Sequence, residues 1–589
     1  MGVRVWWRNM RLKRAANRRL GVESRGGEQG AFEQDRRQSY EPYIRAYQQF
    51  EKTSPWIIGK DPNSGKWLAM DDELHGCGLG STRCGKTTTF LAYNIALHLG
   101  SSVIFDPKGE LYGIFYKTLA AKGKRVFLWD PFKRAARMVG MPSAPYECGC
   151  NLMLDMMNEL GEYDPELPNR IANLVNVLVS LGKNGESAMQ FWNIKTTEVV
   201  SALFAYAAIK RDEDAERAYD DAVEAALAAG RASIDAAVVS DVIRHRNILF
   251  ASGFPTMPRD EQVDLLEEMA GLEERIRLAA EERGEVPLYP SVITMIKSGV
   301  STALRLLDDG GDAFSQLLDM ISACFKWIDS PVIEDHLRGL DAAFTPSMLK
   351  TLDDVVLFVV MPDSMMESHG AYLRMALTAI IDACTAHSWA DGVNPNRYKI
   401  NVICDEISLW GHMESLMRAF KRGAGSDLRI IIIDQNISEF ERIYGRHGWN
   451  TVVCNSWQML MAGGDIDTGK YFVEKSGNTR ARDPKTGERF NVMVPVFGLD
   501  QLWNTVHRLR RISLFCENGT PFTKVMKIPY FDTEESGLVK YVDFGPHPEH
   551  ERDEFLAWVR GQAEQTYPMP DDDDVPQPAR RAKAAHMEF

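Results

Sequence analysis

The segment Gly80-Ser81-Thr82-Arg83-Cys84-Gly85-Lys86-Thr87 follows the pattern G-x-x-x-x-G-K-[ST], and each fixed position has a physical task on a polyphosphate. The glycines let consecutive backbone N–H groups turn inward around phosphate oxygens, where a side chain at Gly85 would clash. Lys86 can carry a mobile charge to the β- and γ-phosphates, and the Thr87 hydroxyl can ligate Mg²⁺. The apolar run Thr88–Leu97 reads as a helix, starting near Lys86, whose positive dipole end faces the same anion. Gly80 to Thr88 is therefore a candidate nucleotide cradle, with ATP and Mg²⁺ as its ligands. A buried strand should feed such a loop, yet Asp71-Asp72-Glu73-Leu74-His75-Gly76-Cys77 is short and polar.

A phosphate cradle needs a carboxylate from another strand end. Tyr398–Cys404 is apolar enough for a buried strand and runs into Asp405-Glu406. Asp405 would hold Mg²⁺, directly or through water, and Glu406 would polarise the attacking water. Gln435 ends the next apolar run, Leu428–Asp434, where it could sense the γ-phosphate or simply hydrogen-bond a loop. Lys421 and Arg422 fall on an expected loop after a helix over Glu414–Phe420. From there Arg422 could reach a neighbouring subunit's nucleotide; a surface arginine is the plainer alternative.

These groups require a scaffold that gathers strand ends. From Trp56 to Pro131 short strands alternate with helices: Ser102–Asp106, a helix to about Ala121, then Val126–Asp130. That rhythm predicts a parallel sheet with ligands at its carboxyl edge. Between about Glu166 and Thr345 the strand signal fades into amphipathic helical runs, including Ala215–Ala229 and the acidic Val263–Arg283. Strands return at Val355–Met361 and Trp457–Met461, and Arg511–Phe515 with Phe522–Ile528 reads as a hairpin over Asn518-Gly519. The expected division is a basic arm over 1–50, a nucleotide-binding domain over 51–165 and 346–545, an inserted all-α domain over 166–345, and an acidic, proline-containing tail over 546–589. The tail reads as a disordered solubiliser or a docking peptide.

With 589 residues the chain is too long for one core. The net charge of −14 argues against a broadly nucleic-acid-adhesive surface but leaves room for a local basic channel. Arg480, Arg482, Lys485 and Arg489, and separately Arg508, Arg510 and Arg511, are the clusters to watch. Nine scattered cysteines without a C-x-x-C pair suggest reduced thiols; Cys148-Gly149-Cys150 has no matching Cys/His pair nearby. No run of 18 apolar residues exists, so the sequence alone predicts a cytosolic or peripheral protein. The arm pairs Trp6 and Trp7 with Arg4, Arg8, Arg11, Lys13 and Arg14, which suits either peripheral contact with an anionic membrane or a solvated arm.

Thr82-Arg83-Cys84-Gly85-Lys86-Thr87 resembles the T-R-S-G-K-T loop of type IV secretion coupling proteins, the TraG-like conjugation ATPases. Asp106-Pro107-Lys108-Gly109-Glu110-Leu111 is similar to their D-P-K-G-E-L signature, and Phe191-Trp192 to the F-W opening their helical domain. Cys404-Asp405-Glu406, Gln435 and Tyr444-Gly445 resemble their acidic and glutamine block, and Ser476-Gly477 and Lys527–Phe531 extend the likeness to about residue 535. The resemblance implies a RecA-like P-loop domain with a mainly parallel sheet, interrupted by an all-α domain. It also implies a homo-hexamer with nucleotide between subunits at the cytoplasmic face of the bacterial inner membrane. Expected partners are relaxase–DNA complexes or effector proteins, and the inner-membrane components of the secretion system. Members usually begin with transmembrane helices; this sequence shows none, so the expectation is either anchoring through a partner or the basic arm, or a chain that starts after a lost anchor. Two other functions fit the motifs: a nucleotide-switched adaptor, and an FtsK-like DNA translocase, against which the acidic tail argues.

Overall fold

The computed structural model describes residues 54–70, 74–153, 166–179, 187–209, 248–283, 290–338, 344–352, 354–385, 398–482, 489–495, 497–507, 511–516 and 522–530. The basic arm, the run Ala215–Ala229, the Asn518-Gly519 turn, Lys485, Arg508, Arg510 and the tail lie outside them.

Eleven strands make one sheet. They are β1 (Trp56–Lys60), β2 (Trp67–Met70), β3 (His75–Leu79), β4 (Ser102–Phe105), β5 (Arg125–Trp129), β6 (Val355–Val359), β7 (Ile400–Cys404), β8 (Leu428–Asp434), β9 (Ser456–Leu460), and, after a separate hairpin of β10 (Asn478–Arg482) and β11 (Arg489–Pro495), β12 (Ile512–Cys516) and β13 (Thr523–Met526). The order is β2-β1-β13-β12-β9-β3-β8-β7-β4-β6-β5. From β9 to β5 every pairing is parallel. The other four strands continue the sheet antiparallel, beginning where β12 meets β9. The expected C-terminal hairpin forms, with Phe515 opposite Thr523.

A strand does feed the phosphate cradle, over His75–Leu79. β3 is buried at all five residues, between β8 and β9. Its glycines explain why its sequence looks unlike one. A Cβ on Gly76 would stand 2.2 Å from the Trp457 ring, and one on Gly78 would stand 2.6 Å from Ile433. The neighbours' side chains fill the space that β3 leaves. His75, also buried, accepts the Ile430 N–H at 3.0 Å, and burial pulls its imidazole down to about 4.

Among the described residues only helices lie between β5 and β6. The helices used below are α1 (Ala92–Ala96), α2 (Glu110–Ala121), α3 (Arg134–Met138), α4 (Leu167–Val179), α5 (Ser187–Ile209), α6 (Arg259–Ala270), α7 (Leu272–Arg283), α8 (Pro290–Asp308), α9 (Gly311–Phe325), α10 (Met366–Thr385), α11 (Glu414–Arg422) and α12 (Ile437–Asn455). The acidic run expected as one helix over Val263–Arg283 is two, divided at Gly271, whose backbone freedom favours a break. None of the described helices is long and apolar enough to cross a membrane. All nine cysteines are free thiols, and only Cys454 is exposed.

Strand alternation separates two faces. Ile104, Phe358, Ile403, Ile431 and Ile433 point to the face covered by α1 and α2. Val103, Leu357, Val402, Ile430 and Ile432 point to the other, where one apolar cluster runs without a break into α4, α5, α8 and α9. In the helical block α5 packs closely on α8, where a Cβ on Gly299 would meet the Glu198 carbonyl and Ala202 Cβ, both at 2.4 Å. Gly299→Val must push these helices apart, so it should lower stability by about 1–3 kcal/mol, read as a fall in the denaturation midpoint; an unchanged midpoint would refute this packing.

Candidate functional site

The carboxyl ends of β3, β4, β7, β8 and β9 meet at one edge, and the chain places its candidate chemistry there. Residues 80–85 leave β3 as a tight turn with Arg83 at φ 61° and Gly85 at φ 90°, the left-handed conformations that aim successive amides inward. Gly80 donates to the Asp434 carbonyl at 3.1 Å, and the space a Cβ would need there is taken by Cys84 Sγ at 2.7 Å. The helix after the loop starts as a π-turn over Lys86–Leu91 before α1, a wider opening than an α-helix gives. Ser81, Thr87 and Thr88 are half-buried at the mouth, and Thr82 and Arg83 are exposed. Lys86 is buried, its Nζ donating to the Gly80 carbonyl at 3.0 Å, folded back across its own loop.

Three aspartates close the neighbouring strands, all buried. Asp106 accepts the Tyr112 N–H at 3.0 Å at the start of α2, and burial pushes it up to about 7. Asp434 accepts the Gln435 N–H at 2.7 Å and the Ser408 hydroxyl, and burial pushes it up to about 6. Asp405 is raised to about 6 by burial, against the pull of Lys86. It differs from the other two in that its Oδ1 is buried without any hydrogen-bond partner. Glu406 follows in the left-handed region at φ 53°, and its Oε1 accepts from Lys108 Nζ at 3.3 Å.

The residue set fits Mg²⁺. Among the described residues no three His, Cys, Asp or Glu side chains form a cage. Mg²⁺ keeps waters and substrate phosphates in its shell and needs one or two protein oxygens, such as the unpartnered Asp405 oxygen and the Thr87 hydroxyl.

Gln435 is exposed at the mouth, directly after Asp434. Arg422 is not brought to this edge. Both Lys421 and Arg422 lie in the last turn of α11, not on a loop, because no breaker precedes Gly423. A Cβ on Gly423 would approach His75 and Leu428, the first residues of β3 and β8, so Arg422 stands near the opposite edge, about 20 Å of strand from its own cradle. The Tyr444 hydroxyl donates to the Gly411 carbonyl at 3.1 Å, tying the loop after Glu406 to α12, which kinks at Gly445 with φ 67°. Phe191 is half-exposed at the start of α5.

The sequence reading missed the support behind the loop. Lys527 is buried, and its ammonium donates to the carbonyls of Met461 at 2.8 Å and Cys84 at 3.3 Å, joining β9 to the cradle. Tyr530 N–H donates to the Thr88 carbonyl at 3.0 Å. A lysine set between the apolar pairs Val525-Met526 and Ile528-Pro529 was the available signal. Burial pulls its amine down to about 8. Lys527→Met should speed amide exchange over Gly80–Thr88 by roughly tenfold, one charged hydrogen bond's worth, and leave α5 unchanged. Folded Lys527 releases its proton more readily than a free lysine. Wild type should therefore gain stability over the variant as pH rises from about 8 towards 10.5, with a constant difference below 8.

The family model of type IV secretory system conjugative DNA transfer matches residues 37–142 and 296–493, just over half of the chain. No curated protein matches. Among solved structures, the bacterial conjugative coupling protein TrwBdeltaN70 in its unbound monoclinic form is 15% identical, with a TM-score of 0.48, over 78% of this chain and 86% of its own. Plasmid coupling protein TrwB with the ATP analogue ADPNP is 15% identical, with a TM-score of 0.49, over 82% and 92%. VirB4 of Thermoanaerobacter pseudethanolicus is 12% identical, with a TM-score of 0.35, over 82% and 98%.

Proposed function

The chain belongs to the type IV secretory system conjugative DNA transfer family, and we propose that it is an ATP-hydrolysing coupling protein, recruiting relaxase-bound DNA or effector proteins and driving them into a secretion channel. The observation that carries this reading is the meeting of a phosphate cradle with a buried, unpartnered Asp405 oxygen and the adjacent Glu406 at one sheet edge.

In this reading the backbone amides of residues 80–85 bind the phosphates, and Lys86 exchanges the Gly80 carbonyl for a γ-phosphate oxygen. Thr87 and Asp405 would hold Mg²⁺, which neutralises phosphate charge when bound. Glu406 takes the proton of the attacking water, and Gln435 at the mouth senses loss of the γ-phosphate. The helical block over 166–345 interrupts a nucleotide-binding domain over 51–165 and 346–545, and presents surface to cargo. The working form is a homo-hexamer at the cytoplasmic face of the inner membrane, engaged with the channel's inner-membrane components and aided by peripheral contact of residues 1–50. An arginine finger at Arg422 would have to serve a neighbouring subunit, since its own cradle is out of reach.

The test is ATP hydrolysis by the full chain with and without single- and double-stranded DNA. Wild type should turn over ATP and respond to DNA. Lys86→Ala should abolish turnover, and Glu406→Gln should reduce kcat by at least about a hundredfold while ATP still binds. Binding without turnover and without a DNA response would overturn the motor reading in favour of a nucleotide-switched adaptor.

A further inference from the structure

The Asp106-Pro107-Lys108-Gly109-Glu110-Leu111 motif contributes nothing to the phosphate cradle, yet the fold fixes it from several sides. Asp106 caps the start of α2 through the Tyr112 N–H, and Gly109 donates to the Asp106 carbonyl at 3.1 Å. Gly109 takes φ 72°, and a Cβ there would stand 3.3 Å from the Ala135 backbone. Arg134 Nε donates to the Lys108 carbonyl at 3.2 Å. The backbone is thus held on both sides of Lys108, and the side chain it projects ends on Glu406 Oε1 at 3.3 Å.

Strand order gives that contact a direction. Glu406 follows β7. The cradle follows β3, which lies on one side of β7 beyond β8; Lys108 follows β4, which pairs with β7 on the other side. The ammonium that engages Glu406 therefore comes from the strand remote from the phosphates. Burial pulls the Lys108 amine down, but the carboxylates of Glu406, Asp405 and Glu110 outweigh this and leave it above its ordinary value, so it is a cation at neutral pH. A carboxylate engaged by an ammonium is turned towards it and held there by a charge-assisted hydrogen bond.

Hydrolysis requires the water oxygen to bond to the γ-phosphorus as the bond to the ADP oxygen breaks, with the water proton passing to a carboxylate. Resting on the reading of Glu406 as that carboxylate, we infer that Lys108 is a positioning residue that restrains Glu406, holding it towards β4 and away from the attacking water. The ion pair is then an idling contact. Any movement of the β4–α2 loop that withdraws Lys108 raises the fraction of molecules ready for chemistry, with no change in how tightly nucleotide sits.

The experiment is ATP turnover against ATP concentration for full-length wild type, Lys108→Met, Lys108→Gln and Lys108→Arg, with Lys86→Ala and Glu406→Gln as blanks. Removing the charge should raise kcat about two- to fivefold, the range of a partly exposed ion pair, at unchanged KM; Lys108→Arg should restore the wild-type rate. A merely structural lysine would not raise kcat and would show no split between kcat and KM. If Lys108→Met fails to fold, Lys108→Gln, which keeps a polar group of similar reach without charge, is read by the same criterion. A kcat that falls or stays level in the folded neutral variants overturns the restraint alone, provided wild-type turnover is present and lost in Lys86→Ala. Absence of turnover in wild type and all variants, with nucleotide bound, overturns the hydrolysis reading as well.

Discussion

Carboxyl groups buried side by side at one sheet edge are the constraint around which this structure is arranged. Desolvation raises Asp106, Asp405 and Asp434 into the range of 6 to 7, and each must find donors or stay protonated. Asp106 turns to the first amides of α2, and Asp434 to Gln435 N–H and Ser408. Two ammonium groups share the remaining charge: Lys86 stands on the cradle side and Lys108 on the far side. Asp405 alone keeps an oxygen with no partner. The shortage of donors among the three thus falls on Asp405, at the end of β7 one strand beyond Asp434, where an incoming cation would relieve it.

The helical block is joined to this edge through a shared core. The apolar cluster beneath β7 and β8 continues into α4, α5 and α8 without a polar layer between. Asn173 on α4 donates to Asp382 on α10 at 2.8 Å, and burial pushes that carboxyl up to about 6. The helical block and α10 are therefore parts of one packed core, not separate bodies joined by a linker.

Local pattern made the phosphate loop and Asp405-Glu406 legible, because their chemistry depends on neighbours in sequence. The parallel sheet was legible from apolar runs closed by acids. β3 was not, because the bulk it lacks is supplied by Trp457 and Ile433, residues more than 350 positions away. Distance also hid the role of Lys527, whose Cys84 partner lies 443 positions away, while Ser408, only 26 positions from its partner Asp434, sits in no pattern that marks it. Sequence pattern ends the helix at Phe420 and leaves Lys421 and Arg422 on a loop. In fact Lys421 and Arg422 complete the last turn of α11, where their charges favour the carbonyl end of the helix dipole. The helical character of Val263–Arg283 was evident, but not its division at Gly271, where only a local gain in backbone freedom marks the break.

The contacts of the last described segment bear on how the protein comes into being. The phosphate loop leaves the ribosome early, yet Lys527, Ile528 and Tyr530 supply bonds to Cys84, Tyr93 and Thr88 across more than 430 residues. Neither the loop nor its first helix has its full set of partners until that segment has been synthesised and laid between β9 and α1. A nascent chain therefore carries the recognisable nucleotide motif long before it carries a finished cradle, and closure of the site reports that synthesis has passed residue 530.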